Sequence, residues 1–290
     1  MKFPIRVLSL FSGIGGYEKA LANIGIPHRV TNYCEIDAVA SRCYSLLHNV
    51  PERRNLRDVR KIDPTLLNDF DLLTFSPPCQ DISAIGRHAG ITKQSRTGLM
   101  WHVVPIIEAK LPSVIVMENV MALATKYRSI LDDYVLELTK RGYQCSTAIL
   151  NAKHHGVPQN RRRLFLVGTL SGGFKWPMPR PLTSKLQDYL DRKGDCEKEV
   201  AYTIRIGGRR SKVGDRHNWD CYLVDGKPHH LSARECLRLM GFGPSDYETL
   251  VANGITQTAI YRAAGNCVVV GVLESLFRSM FGGQLNSAAS

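Results

Sequence analysis

The chain has no Cys-x-x-Cys pair. Its eight cysteines lie scattered at 34, 43, 79, 145, 196, 221, 236 and 267. That spacing offers no zinc site and no secreted disulfide framework, and it fits a reducing cytoplasm. No run of 18 apolar residues occurs, which argues against a membrane span. The N-terminal run Met1-Lys2-Phe3-Pro4-Ile5-Arg6 leads straight towards a strand and lacks the apolar core of a secretory signal. Repeats and low-complexity tracts are missing. The one glycine-rich turn near the start does not spell G-x-G-x-x-G, which counts against a nicotinamide dinucleotide. Acidic residues are the scarcer charge: 26 against 38 Lys and Arg, a net of +12.

The remaining composition, 44% apolar and 22% charged over 290 residues, is that of an ordinary globular protein with room for a large core and a smaller lobe. The charge is unevenly placed. Residues 152–216 hold 15 basic and 6 acidic side chains, and 82–98 hold Arg87, Lys93 and Arg96 with no acid. Concentrated positive charge points to a polyanion, most often nucleic acid, against the plainer reading of a solvated basic face.

In chain order, Ile5–Leu10 reads as a buried strand, Phe11–Gly16 as a glycine-rich turn, and Tyr17–Ile24 as a helix stopped by Gly25. Strand, glycine turn and helix together cradle a nucleotide, because glycine lets the ligand approach and the helix start offers free N–H groups. The alternative is glycine for helix–strand packing alone. His28–Tyr33 reads as a second strand, with Glu35 at its tip where a ribose hydroxyl would be bound. Val39–Leu47 is helical. Leu56–Val59 is a short strand or turn, in which Asp58 by itself is an ordinary turn residue. Asp71–Phe75 is a further buried strand, ended by Pro77 and Pro78. Cys79 is thereby delivered to the carboxyl edge of a parallel sheet, where ligands sit. It reads as a nucleophile or as a half-buried structural thiol, and the local setting alone does not decide. A helix over Leu99–Leu111 and a strand over Ser113–Met117 follow, leaving Glu118 at the strand end. There it is either an acid with raised proton affinity or a capping or paired carboxylate. A helix over Ile130–Arg141, strands at Cys145–Asn151 and Leu164–Gly168, and helices at Ser232–Leu239 and Val268–Phe281 complete the pattern. Between them, Ser171-Gly172-Gly173 and three prolines mark a linker. Beyond it lies a stretch rich in glycine and arginine, with Trp219, Tyr222 and His229, which reads as loops and short strands presenting cations to a groove.

Motifs spread over most of the chain resemble those of the DNA (cytosine-5) methyltransferase family: FSGIGG at Phe11–Gly16, Glu35, PPCQ at Pro77–Gln80, ENV at Glu118–Val120, QNRRR at Gln159–Arg163, RECLRLMGF at Arg234–Phe242 and AAGNCVVV at Ala263–Val270. They occur in family order, and only about 171–231 lies outside them. The resemblance implies an α/β, Rossmann-like, S-adenosylmethionine-dependent fold with a mixed seven-stranded sheet and a small inserted target-recognition domain. The implied division is 1–172 plus 243–290 for the catalytic domain and 173–242 for recognition.

It also implies the chemistry. Cytosine C5 is too poor a nucleophile to take a methyl group directly. A Cys79 thiolate adding at C6 would activate C5, with Glu118 on N3 and Arg163 on O2. The base would be flipped out of the duplex. S-adenosylmethionine would lie along Phe11, Gly13, Ile14, Gly15 and Gly16, with its ribose on Glu35 beside Ile36 and its adenine on Asp58 and Val59. Pro78, Leu99, Asn266 and Cys267 would close around it. Gln80, Ser83, Arg87, Arg96, Gln159 and Arg161 would meet DNA, with Arg205, Arg209 and Arg210 in the recognition lobe. No metal is implied. The expected partner is double-stranded DNA, met by a monomer in a bacterial or phage-infected cytoplasm, with a cognate restriction endonuclease as a further partner. Two alternatives share the motifs: an RNA cytosine-5 methyltransferase of the same fold, and a DNA-binding protein without catalysis.

Three departures from the family pattern stand out. Cys267 occupies the usual serine of Gly-Asn-Ser-Val, and a thiol is a weaker hydrogen-bonding group. Arg96-Thr97-Gly98-Leu99 replaces the commoner Arg-Gly-Thr-Leu. The recognition stretch is short, which implies a short target.

Overall fold

A computed structural model describes residues 3–78 and 96–287, with side chains at 3–78 and 98–282. Cys79, Gln80, Ser83 and Arg87 lie outside the described residues, and so does the side chain of Arg96.

Six strands form the main sheet: β1 (Ile5–Leu10), β2 (His28–Cys34), β3 (Leu72–Phe75), β4 (Val114–Val120), β5 (Gln144–Asn151) and β6 (Arg162–Thr169). Their order is β2-β1-β3-β4-β6-β5. The first four are mutually parallel, while β6 runs antiparallel to both neighbours. The sheet is mixed as expected, but the described residues supply six strands where seven were expected. Leu56–Val59 is the difference. Only the residue before it, Asn55, makes an isolated bridge, to Tyr33, and the stretch then turns into a short 3-10 helix at Val59–Lys61.

The strands read as near-continuous apolar runs because both faces are covered. Alternate residues enter opposite layers. Val7, Leu72, Val114 and Val116 join one cluster with the helices α1 (Gly16–Asn23) and α8 (Val270–Ser287). Leu8, Leu73, Ile115 and Met117 join the other, with α3 (Val104–Lys110) and α4 (Arg128–Lys140). The helix expected over Leu99–Leu111 is a 3-10 turn at Arg96–Val103 before α3 begins, with Pro105 in the first turn of α3 where its missing N–H costs nothing.

Around 173–242 the chain adds a hairpin, β7 (Cys221–Val224) and β8 (Lys227–His230), turned by Asp225 and Gly226, both with positive φ. Trp219 and Tyr222 mark this stretch as ordered. They are fully buried, and the indole Nε1 donates to Gly207 O at 2.7 Å. α5 (Ala233–Met240) starts with a capping box in which Ser232 and Glu235 satisfy each other's backbone N–H. Its apolar face lies in the same cluster as Val7, Trp219 and Val270. The core therefore runs unbroken across residue 242. Two further helices, α6 (Pro244–Ala252) and α7 (Gln257–Asn266), were not expected from the sequence; α2 (Ala38–His48) was.

Both β2 and β3 pair with β1, so the connections leaving β1 and β3 part in opposite directions. The resulting crevice lies at the carboxyl edge of the parallel strands. Because β6 is antiparallel, its first residues reach that same edge.

Candidate active site

The turn after β1 is locked between strands. Ser12 Oγ donates to Ser9 O at 2.9 Å, and the Ser12 N–H donates to Cys34 O at 3.1 Å. Phe11 is held in the left-handed region at φ 51°. Gly15 has φ 79°, and a Cβ there would lie 2.1 Å from the His48 ring, so only glycine fits. A Cβ on Gly13 would meet nothing within 4 Å, so open space lies over the turn at that point.

Glu35 lies just past β2. Its Oε2 accepts from Gly13 N at 2.8 Å and its Oε1 from Asp37 N at 2.9 Å. Burial raises its pKa, and these N–H groups oppose that. Each oxygen keeps lone pairs for a ligand. Ile36 beside it is 68% exposed, an apolar platform at the rim of the crevice. The sequence reading missed Asn55. Its Oδ1 accepts from Glu35 N at 3.0 Å and its Nδ2 donates to Glu35 O at 2.9 Å, fixing the backbone that presents the carboxylate. No sequence signal marks it.

Asp58 caps the 3-10 helix, and its carboxylate is paired with the exposed Arg60 at 2.7 Å. Val59 is buried, while Pro78 and Leu99 are half-buried near the crevice. Asn266 is exposed at the end of α7, but the Cys267 side chain is turned inward. Its Sγ donates to Val268 O at 3.2 Å and would lie 3.0 Å from a Cβ on Gly16. Burial pushes the thiol up to about 12. Cys267 thus packs beneath the glycine turn, and its expected place on the cofactor is corrected.

On the base side, the register pairs Val120 with Arg163 and Glu118 with Phe165. Glu118 and Arg163 are therefore diagonal neighbours on one face, within reach for long side chains. Arg163 Nε lies 3.2 Å from Glu118 Oε1. Glu118 is 8% exposed; desolvation raises its pKa, and Arg163, Arg161 and Ser76 only partly offset this. Such a carboxyl holds its proton to higher pH than an ordinary glutamate. The segment leading to Cys79 is tied to the same place. Asn119 Nδ2 donates to Pro77 O at 3.2 Å, and Tyr17 Oη bonds Phe75 O and Ser76 Oγ.

Gln159 and Arg161 were expected on DNA, and the structure corrects both. Gln159 is fully buried, with Nε2 on Leu239 O at 3.0 Å and Oε1 receiving Ile204 N at 3.3 Å. Arg161 is 3% exposed and donates to three backbone carbonyls, those of Ile204, Gly265 and Cys267. Among the lobe arginines, Arg209 stacks on Tyr261 with 3.6 Å from guanidinium carbon to ring centre. Arg210 is exposed. Arg205 is exposed and shares a groove with Asn160, Thr203, Arg216 and Asn218.

A doubly covered parallel half-sheet with a glycine turn, an acidic tip on β2 and a buried acid–arginine pair at the same edge defines a nucleotide-dependent group-transfer enzyme. Residues 5–203 and 183–282 match the family model for C-5 cytosine-specific DNA methylases. The chain belongs to that family and is a DNA cytosine-5 methyltransferase. It is 29% identical to the type II methyltransferase M2.ScrFI of Lactococcus lactis subsp. cremoris, over 97% of this chain and 100% of that one. It is 27% identical to the type II methyltransferase M.HhaI of Haemophilus parahaemolyticus, over 93% and 92%. Its fold matches the S. pombe Dnmt2 methyltransferase at a TM-score of 0.75 and 20% identity, covering 97% and 99%. Among the described residues no single helix is long and apolar enough to cross a membrane.

Proposed function

We propose that this enzyme methylates C5 of cytosine within a short specific sequence of duplex DNA, using S-adenosylmethionine, base flipping and a covalent bond from Cys79 to C6. The observation that carries the reading is the buried Glu118–Arg163 pair at the carboxyl edge. S-adenosylmethionine, when bound, supplies an electrophilic methyl group. The residues of this chain do the rest. Cys79 adds as thiolate to C6: its electron pair forms the sulfur–carbon bond, and the displaced C5–C6 π pair makes C5 nucleophilic enough to take the methyl group. Glu118 gives a proton or a hydrogen bond at N3, and Arg163 steadies the charge at O2. Once C5 carries the methyl group, a base takes the C5 proton, the C5–C6 double bond re-forms and the C6–sulfur bond breaks to release the thiolate.

The crevice fits the cofactor. The space over Gly13, the spare lone pairs of Glu35 and the exposed Ile36 suit an amino acid, a ribose and an adenine in that order. Glu35→Ala should weaken binding of S-adenosylhomocysteine by about ten- to a hundredfold, the worth of a charge-assisted hydrogen bond. Titration calorimetry measures it, and an unchanged Kd would remove Glu35 from the site.

Residues 173–242 are assigned to target recognition, with the enzyme acting as a monomer in a bacterial or phage-infected cytoplasm, alone or beside a cognate endonuclease. Arg205 and Arg216 share the groove, so they are better placed to read base edges than Arg209, whose guanidinium lies on Tyr261. Alanine at a base-reading arginine should relax the methylated sequence at one position, by about tenfold per bidentate pair. Alanine at a phosphate contact should weaken all sites alike and flatten the salt dependence. If Arg205, Arg209, Arg210 and Arg216 can each be removed without either effect, recognition lies elsewhere. Transfer of labelled methyl to duplex DNA, and its failure on transfer RNA, tests the main reading.

A further inference from the structure

Residues 158–161 run beside 201–204. Ala201 N donates to Pro158 O at 2.7 Å, Asn160 N to Ala201 O at 2.8 Å, and Thr203 Oγ1 to Asn160 O at 2.6 Å. Ile204 is gripped at both ends of its backbone. Its N–H goes to Gln159 Oε1 at 3.3 Å and its C=O takes Arg161 Nη1 at 2.7 Å. From the other side comes Gly265. A Cβ there would lie 2.9 Å from Arg205 C and 3.0 Å from Ile206 N, so α7 presses on the Arg205–Ile206 peptide itself. Glycine inside a helix is disfavoured relative to alanine, and this close approach is what requires it.

The same Arg161 reaches the catalytic end. It stands two residues before Arg163, its charge acts on Glu118, and its Nη2 holds Gly265 O at 3.0 Å and Cys267 O at 2.9 Å. Burying a guanidinium is costly unless its donors are satisfied. Here Nη1 and Nη2 are spent on backbone carbonyls of two separate segments, a pattern that fixes geometry, while Nε has no partner among the described residues. Arg205, the next residue after the gripped Ile204, lies exposed in the groove with Arg216.

We propose that Gln159, Arg161 and Gly265 are positioning residues that set the Ile204–Ile206 peptide, and with it Arg205, at a fixed place relative to the Glu118–Arg163 pair, so that target sequence is read in turnover as well as in binding. The proposal rests on residues 173–242 being the recognition element. Where Arg205 meets its base edge, the flipped cytosine is aligned with the pair. Where it does not, the strain passes through Ile204 and Arg161 to the catalytic end.

The test uses the whole protein with S-adenosylmethionine on random-sequence duplex DNA, read by bisulfite sequencing, with steady-state kinetics on the preferred sequence and on single mismatches. Gln159→Met keeps volume and loses the side-chain hydrogen bonds to Leu239, Met240 and Ile204; Gly265→Ala gains helix propensity but forces a Cβ onto the peptide. Both should lower kcat on the preferred sequence by about tenfold with KM for DNA nearly unchanged. Both should also cut discrimination against mismatches by about tenfold, the worth of one misaligned bidentate contact. Because Gly265 acts through Arg205, adding Gly265→Ala to Arg205→Ala should cause little further loss of discrimination. Equal slowing of preferred and mismatched sites, or losses that add in the double variant, would overturn the coupling. Gly265→Ala decides the matter alone if Gln159→Met does not fold. Wild-type protein methylating without sequence preference would be a different failure, sinking the recognition reading and this proposal with it.

Discussion

Cys79→Ser is expected to abolish methyl transfer, lowering turnover by more than about four orders of magnitude, as loss of a covalent nucleophile does. The reason lies in the acid strength of the side chain. A free thiol has a pKa near 8.5 and is already a few per cent thiolate at neutral pH, whereas an alcohol supplies essentially no anion. Without an anion at C6, no electron pair reaches C5, and binding energy cannot substitute for it. The position follows from the chain: β3 ends at Phe75, and Pro77 and Pro78 stiffen the exit. Duplex DNA containing 5-fluorocytosine separates the roles, because fluorine at C5 cannot depart as a proton would and the adduct persists. Wild-type protein should be trapped and the serine variant should not. A covalent adduct with Cys79→Ser would show that another group is the nucleophile. Thermal melting should be nearly unchanged, so that loss of fold is not mistaken for loss of chemistry.

How legible the enzyme was in its sequence depended on the range of the interactions involved. The parallel strands were readable because both of their faces are buried, which makes Ile5–Leu10, Leu72–Phe75 and the first four residues of Val114–Val120 mostly apolar. Glu118 and Arg163 could be named from their motifs, yet their diagonal contact depends on a register between strands more than 40 residues apart, which no local pattern encodes. The failures were of one kind. Gln159 and Arg161 belong to the QNRRR motif, and the resemblance placed them on DNA. Their partners are backbone carbonyls and an N–H at Ile204, Leu239, Gly265 and Cys267, brought near only by the folded chain. Trp219 and Tyr222, large aromatics in an otherwise polar stretch, are the core of that stretch. The helix Gln257–Asn266 was missed, and Gly265 near its end is there for the peptide pressed against it.

Glu118→Gln is expected to lower turnover by about two to four orders of magnitude, the usual worth of a positioned acid. The amide keeps the shape and can still accept from Arg163, but it has no carboxyl proton to give. Two effects compete at this carboxyl group. Arg163 at 3.2 Å favours the ionised form, while burial favours the neutral one, and burial prevails, leaving the pKa raised. The sign of the pH dependence follows. An acid with a raised pKa stays protonated into a higher range, so the step that needs its proton is intact below that pKa and fades as pH climbs through it. In the wild-type rate profile Glu118 should therefore contribute a falling alkaline limb, and Glu118→Gln should lose that limb along with most of the rate. Arg163→Met provides the converse. Removing the cation removes the main influence holding the pKa down, so the limb should move to higher pH even as the rate falls. Affinity for S-adenosylhomocysteine should hardly change in either variant, because the pair lies at the ends of β4 and β6, whereas Glu35 and the glycine turn follow β2 and β1. A glutamine variant that keeps the alkaline limb, or one that loses cofactor affinity in step with turnover, would show that Glu118 is not the acid at N3.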